Sequence, residues 1–217
     1  MDNFSFLGGA HTTMIEEMYQ NFTKDPKSID AQWRHFFQGY DFAKQVYSED
    51  DIPEPINMYG VSKLAGEYAT ISSLDRHYIV RISSVFGISE SKGRKGNFVY
   101  SIMERGASGE PVTVINDIIM SPTYTVDAAQ LMWAIITQEM EFGIYHCNNE
   151  GQCSWFDFTK EIFHQCGIDS PIIPISRSEF GSKAKRPKFS AMTTKRKIAK
   201  RGWKEGLQGF LEELRKS

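Results

Sequence analysis

Tyr59 and Lys63 stand four residues apart in the stretch MYGVSKLAGE, residues 58 to 67. On a helix that spacing puts both side chains on one face. A phenol so placed can give its proton to a carbonyl oxygen while hydride arrives on the carbon. An ammonium beside it favours the phenolate and draws the phenol's pKa down from its free value of about 10. The same ammonium can hydrogen-bond the ribose of a nicotinamide cofactor. A bare Y-x-x-x-K recurs by chance on helix surfaces. The fuller N-x-Y-G-x-S-K-x-x-G-E, from Asn57 to Glu67, does so far less often.

Such a pair needs a helix to carry it and a cradle for the dinucleotide, which means a strand, a glycine-rich turn and a second helix. The carrying helix is readable. Asn57 is placed to cap it after the acidic, proline-containing loop EDDIPEPI, and it extends to about Ser72. YIVRISSVFG (78–87), rich in Val, Ile and Tyr, fits a buried strand of a parallel sheet. GRKGN (93–97) is a loop, FVYSIMERGAS (98–108) a helix and PVTVIND (111–117) a short strand. SPTYTVDAAQLMWAIITQ (121–138) opens with turn residues, and a helix begins at Asp127 with Leu131, Trp133, Ala134 and Ile135 available for burial. FGIYHCN (142–148) is a strand, and SWFDFTKEIFHQCG (154–167) is an amphipathic helix ended by Gly167. Two terminal helices follow, TTKRKIAKRG (193–202) and WKEGLQGFLEELRKS (203–217). The last carries Trp203, Leu207, Phe210, Leu211 and Leu214 in one stripe.

The cradle is not readable. No G-x-x-G-x-x-G follows a strand, and Gly8-Gly9 follow none. The residues before Tyr47 spell two short helices instead. The first has Met14, Ile15, Met18, Tyr19 and Phe22 on one face and is broken at Asp25-Pro26. The second is capped by Ser28 or Asp30, carries Ile29, Trp33, Phe36 and Phe37, and ends at Gly39. Helices this short and aromatic are expected to pack on another domain or another protein.

A net charge of -2 gives no argument for nucleic acid, and no apolar run is long enough to span a membrane. Three cysteines, Cys147, Cys153 and Cys166, suit a reducing cytoplasm better than a disulfide framework, and their spacing from His146 and His164 matches no common zinc pattern. From Lys183 to Lys204 there are ten basic residues and no acidic one, a run most often found on a solvated face.

Residues 47 to 217 resemble the dTDP-4-dehydrorhamnose reductase (RmlD-like) family of extended short-chain dehydrogenases. The resemblance is carried by YSEDDIPEPINMYGVSKLAGE, RISSVFG, KGNFV, NDIIMSPTYTVDAA, GIYHCNNEGQCSWFDFTKEIF, PIS and KRPKFSAM. It implies an α/β fold, the C-terminal portion of a Rossmann-type NAD(P)-binding fold. It also implies reduction of a keto-sugar on a nucleoside diphosphate with NADPH or NADH, for cell-surface polysaccharide. Position by position, Tyr59 matches the proton donor and Lys63 the ribose-binding lysine. Asn97 and Phe98 match a loop lining the sugar-nucleotide pocket, and Ser121, Pro122 and Thr123 match the segment that closes it. Arg186 matches an element near the diphosphate, where a guanidinium grips two oxygens at once. Ser84 stands where many members have a tryptophan beside the substrate. From the residues alone, Asn97 and Thr123 are equally helix caps and Pro122 a turn.

The first half of that family's pattern is absent, so the parallel sheet is expected to be incomplete and this chain alone to bind no dinucleotide and turn over no substrate. Its open sheet edge invites pairing with a complementing chain, a homo-oligomer or aggregation. FSFLGGAHTTMIEEMYQNFTKDPKSIDAQWRHFFQGYDFA, within residues 1–45, resembles the N-terminus of the first, decarboxylating component of 2-oxoglutarate dehydrogenase. There the segment is an assembly arm, which implies docking of residues 1–43 on a 2-oxoacid dehydrogenase acyltransferase core. The two resemblances meet at AKQVYSEDDIPEP and point to a fusion, with residues 1–45 as the arm and 46–217 as the reductase portion.

Overall fold

The computed structural model describes residues 12–44, 46–88, 97–181 and 186–216. They fall into two compact units, Met1–Val46 and Tyr47–Ser217. Gly8 and Gly9 lie outside the described residues.

The first unit is a helical hairpin, α1 (Thr12–Lys24) and α2 (Ala31–Lys44), joined through a 3-10 turn at Pro26–Ser28. Asp25, forced out of helical geometry before proline, is extended and accepts the Lys27 N–H at 2.9 Å. Of the two candidate caps, Asp30 is the one used. Its carboxylate accepts the Gln32 and Trp33 N–H groups at 2.8 and 3.1 Å, while the Ser28 hydroxyl turns back to the Asp25 carbonyl. The aromatic faces do not need a second domain to be covered. They close on each other, with Phe22, Trp33 and Phe37 buried and Tyr19 tilted onto Phe37 at 5.3 Å. Met14 lies outside that core, 47% exposed. Gly39 does not end α2, because one glycine costs a helix interior only about 1 kcal/mol.

The second unit is α/β. After a loop comes α3 (Met58–Ser73), then β1 (Tyr78–Arg81), β2 (Val85–Phe86), α4 (Phe98–Ala107), β3 (Val112–Ile115), β4 (Ile119–Met120) and β5 (Thr123–Tyr124). There follow α5 (Thr125–Thr137), β6 (Gly143–His146), β7 (Cys153–Ser154), α6 (Trp155–Cys166), β8 (Ile172–Ile175), α7 (Arg177–Phe180), β9 (Phe189–Ser190) and α8 (Trp203–Leu214). β1 runs parallel to β6, β2 to β5 and β3 to β8, while β4 lies between antiparallel β7 and parallel β9. The larger core gathers Val99 and Ile102 of α4, Phe158 and Ile162 of α6, and Leu207 and Phe210 of α8. A smaller one joins Leu131 and Ile135 of α5 to Tyr145 and Cys147.

Several elements differ from expectation. The strand read over 78–87 divides at Ser84, whose backbone is left-handed (φ 41°) and whose carbonyl accepts the Thr123 N–H at 3.1 Å. α5 starts at Thr125 and leaves Trp133 68% exposed. The basic segment 193–202 is not helical. Its backbone is drawn into tertiary hydrogen bonds: the Thr193 N–H donates to the Tyr47 carbonyl at 2.8 Å, the Arg201 carbonyl accepts the Glu150 N–H at 2.8 Å, and the Lys195 N–H reaches Glu49 at 2.9 Å. Among the described residues no helix is long and apolar enough to cross a membrane.

Candidate active site

α3 begins where Asn57, in extended backbone, accepts the Gly60 N–H on its side-chain oxygen at 2.8 Å. Tyr59 and Lys63 follow one turn apart and both are exposed, Tyr59 to 74%. No residue of α3 is buried. The helix is tied down by charge. Glu67, one turn beyond Lys63, receives a fork from Arg81 of β1, with Nε to Oε1 at 3.0 Å and Nη2 to Oε2 at 2.7 Å. The two side chains are only 17% and 19% exposed, so the bidentate pair is shielded from solvent.

The loop leading to α3 is held by a second carboxylate. Glu49 is buried and accepts the His146 N–H at 3.1 Å, the Lys195 N–H at 2.9 Å and the Thr194 hydroxyl. Burial alone would raise its pKa. The Thr194 hydroxyl and the surrounding N–H groups outweigh burial and hold the carboxyl at about 2. His146, opposite Arg81 in the β1–β6 register, bonds the Thr193 carbonyl through Nδ1 at 2.8 Å, and burial pushes its pKa down. The carbonyl oxygen facing Nδ1 can only accept, so Nδ1 carries a proton, and among the described residues the buried Nε2 has no hydrogen-bond partner.

A family model described as the RmlD substrate binding domain matches residues 34–216. The chain belongs to this family. A second model, the 2-oxoglutarate dehydrogenase N-terminus, matches residues 4–44. The spore coat polysaccharide biosynthesis protein SpsK of Bacillus subtilis is 33% identical over 94% of this chain and 69% of its own length. A dTDP-4-dehydrorhamnose reductase of Mycolicibacterium smegmatis is 31% identical over 87% of this chain and 59% of its own length. Among solved structures, the dTDP-4-dehydrorhamnose reductase of Bacillus anthracis in complex with NADP is similar with a TM-score of 0.71 at 35% identity, over 77% of this chain and 59% of that one. The chain thus spans roughly three-fifths to two-thirds of the length of these relatives.

Of the positions expected on the substrate side, Asn97 and Ser121–Thr123 lie next to the β2–β5 pair. Asn97 caps α4, accepting the Val99 N–H at 3.0 Å, and its amide donates to the Gly87 carbonyl at 2.6 Å. Gly87 admits no side chain, because a Cβ there would stand 1.9 Å from the Thr125 hydroxyl oxygen. Phe98 packs on Trp155 at 4.4 Å. Ser121, Pro122 and Thr123 are buried. The Ser121 hydroxyl donates to the Gly151 carbonyl at 2.9 Å and accepts the Met192 N–H at 3.1 Å, and the Thr123 hydroxyl donates to the Ser121 carbonyl at 3.2 Å. Thr123 is not the cap of α5, which begins from Tyr124 without a side-chain cap. Arg186 is exposed, three residues before β9, whose partner β4 leads into Ser121. No hydrogen bond between described residues joins Tyr59 or Lys63 to this group.

Sequence reasoning missed the groups that fix the site. Glu67 lay in plain view at the end of the 57–67 pattern, one turn after Lys63. Asp127 reads in the sequence only as a helix start, yet it accepts the Asn149 amide at 2.6 Å and pairs with Arg201 at 3.3 Å. A groove of about 420 Å³ opens beside Cys153, Asp157, Glu161 and Lys204, and none of the expected site residues lines it.

Proposed function

We propose that the second unit is the substrate-binding, proton-donating portion of an NAD(P)H-dependent keto-sugar-nucleotide reductase. The observation that carries this reading is the placement of Tyr59 and Lys63 one turn apart on a capped helix that Arg81 clamps through Glu67, in an RmlD-family chain. A reduced nicotinamide would supply the hydride. Tyr59 gives its proton to the ketone oxygen as that oxygen gains charge. The Lys63 ammonium stabilises the phenolate left behind and hydrogen-bonds the cofactor ribose. Asn97, Phe98, Ser121, Pro122 and Thr123 shape the sugar-nucleotide side, and Arg186 receives the diphosphate.

The residues present fit the ribose end of a dinucleotide better than its pyrophosphate. No described strand precedes α3, so the described residues supply no strand and glycine-rich turn of the kind a pyrophosphate needs. The reading therefore includes no dinucleotide binding and no turnover by this chain alone. Calorimetry with NADPH, and separately with a dTDP-sugar, tests it. The dTDP-sugar is expected to bind and NADPH is not; NADPH binding that Lys63→Ala removes would refute the second part, and a dTDP-sugar that fails to bind the folded chain refutes the first.

A second reading attaches to the first unit, on the match of residues 4–44 to the 2-oxoglutarate dehydrogenase N-terminus. We propose that residues 1–43 dock on a 2-oxoacid dehydrogenase acyltransferase core. Pull-down by that core of the full chain, but not of a chain lacking residues 1–43, is the expected result. Equal retention of both removes the reading.

A further inference from the structure

We propose that Asn149 is a positioning residue for the sugar-nucleotide side of the site: its buried amide fixes the Ser121–Thr123 segment against α5 and the approach to α8, and so sets how that segment meets a dTDP-sugar. This deepens the proposed function and rests on it. β5 is two residues long and, among the described strands, pairs only with β2. So short a ladder holds few backbone groups, and the next one along must find its partner elsewhere. The Thr123 N–H goes to the Ser84 carbonyl at 3.1 Å, and the Tyr124 N–H goes to Asn149 Oδ1 at 2.8 Å. Asn149 itself is fully buried. The Ser121 hydroxyl donates to the Gly151 carbonyl, two residues after Asn149, at 2.9 Å, so one turn of chain grips the segment twice.

Tyr124 is the N-cap residue of α5 and offers no side-chain cap, and Asp127 is the third helical residue. In a capping box a glutamate at that third position reaches back to the N-cap N–H. Aspartate is one methylene shorter, and Asn149 stands between the two groups. Its Oδ1 accepts the Tyr124 N–H, while its Nδ2 donates to Asp127 Oδ2 at 2.6 Å and to the Arg201 carbonyl at 3.1 Å. The neighbours settle the orientation of the amide, because a peptide N–H only donates and a carbonyl only accepts. Both amide hydrogens are thus used. The charged groups of the cluster are the Asp127 carboxylate and the Arg201 guanidinium, which pairs with Asp127 Oδ1 at 3.3 Å. α8 adds Gly206, where a Cβ would stand 2.9 Å from Asp127 Oδ2 and 3.0 Å from Asn149 Nδ2, so a larger residue there would push the cluster apart. A buried polar network whose members are all satisfied specifies one arrangement of the segments it joins. Here those segments are the one carrying Ser121–Thr123, the turn after β6 and the approach to α8.

The test is the affinity of the full chain for a dTDP-sugar by calorimetry, with the folded fraction followed by circular dichroism at each pH. Asn149→Asp keeps the shape of the side chain and turns its donor into a carboxylate facing Asp127. Two carboxylates so close share a proton at low pH, which restores a donor, and repel each other once it is lost. Relative to the unaltered chain at the same pH, affinity is expected to be nearly unchanged at about pH 5.5 and at least about tenfold weaker at about pH 8, with the fold retained. If Asn149→Asp does not stay folded at about pH 8, Asn149→Ala takes its place and is expected to weaken binding about tenfold at both pH values, since it brings no charge. An Asn149 that serves stability alone would lower the urea midpoint and leave the affinity of the folded chain unchanged, and that result overturns the inference. An unaltered chain that binds no dTDP-sugar overturns the proposed function and this inference together, whereas binding that survives every change at Asn149 overturns this inference alone.

Discussion

Helices α3 and α8 belong to the same unit and each has an N-terminal hydrogen bond of its own, from Gly60 to Asn57 in one and from Gly202 to Glu205 in the other. They are held in different ways. α8 buries Trp203, Leu207, Phe210 and Leu211, whereas α3, four residues longer, buries nothing. Among the described residues it is held to β1 by the Glu67–Arg81 fork, with Glu49 anchoring the loop that leads into it. A helix fixed by burial is lost only when the core is lost. One fixed by a cap and an ion pair can be released locally, for a few kcal/mol, while the core stays folded. The helix with the candidate chemistry is the one held by polar contacts.

Substitutions can break this contrast, and the largest effect belongs to α8. Phe210→Ala removes a fully buried ring and is expected to lower the unfolding free energy by about 3–5 kcal/mol in urea titrations. A loss under about 1 kcal/mol would mean α8 is not part of the core. Glu49 comes next. Its folded-state pKa of about 2 lies below the ordinary 4.5, so its contribution is complete above about pH 5 and disappears as pH falls toward 2. That contribution is at most about 3 kcal/mol. Glu49→Gln should therefore cost stability at neutral pH and flatten the acid limb of a stability-versus-pH curve. Parallel curves for the two proteins would contradict the assignment.

Glu67→Gln leaves Arg81 half-buried without its partner and should cost about 2 kcal/mol, read as faster amide exchange across α3 with α8 unchanged. The exchanged pair, Glu67→Arg with Arg81→Glu, is expected to recover part of the loss, and no recovery would argue against a direct ion pair. Asn57→Ala is the smallest, about 1 kcal/mol confined to the first turn of α3, detectable as fraying at Gly60 and Val61.

What the sequence revealed follows the same division. Local devices were legible because they are written within a few residues. The caps at Asn57 and Asn97, the Gly167 stop (φ 66°) and the buried stripe of α8 all have the expected form. Long-range polar pairing was not legible. The pattern at 193–202 looks helical, but Thr193, Lys195 and Arg201 are engaged by residues more than fifty positions earlier, and those bonds override local propensity. The break at Ser84 is set by its contact with Thr123, which no local pattern announces. At the site, the residue types of Tyr59 and Lys63 were readable. Ser121 and Thr123 were readable as motif positions but not as hydroxyls engaged by the backbone of neighbouring segments.

Amide hydrogen exchange on the isolated chain, resolved by segment, compares α3 and α8 most directly. The account predicts that α8 exchanges only through global unfolding, with protection equal to the free energy from urea titration, while α3 between Val61 and Ile71 exchanges at least about a hundredfold faster through local release. Equal protection in the two helices would contradict it, since α3 would then be fixed by the same core as α8.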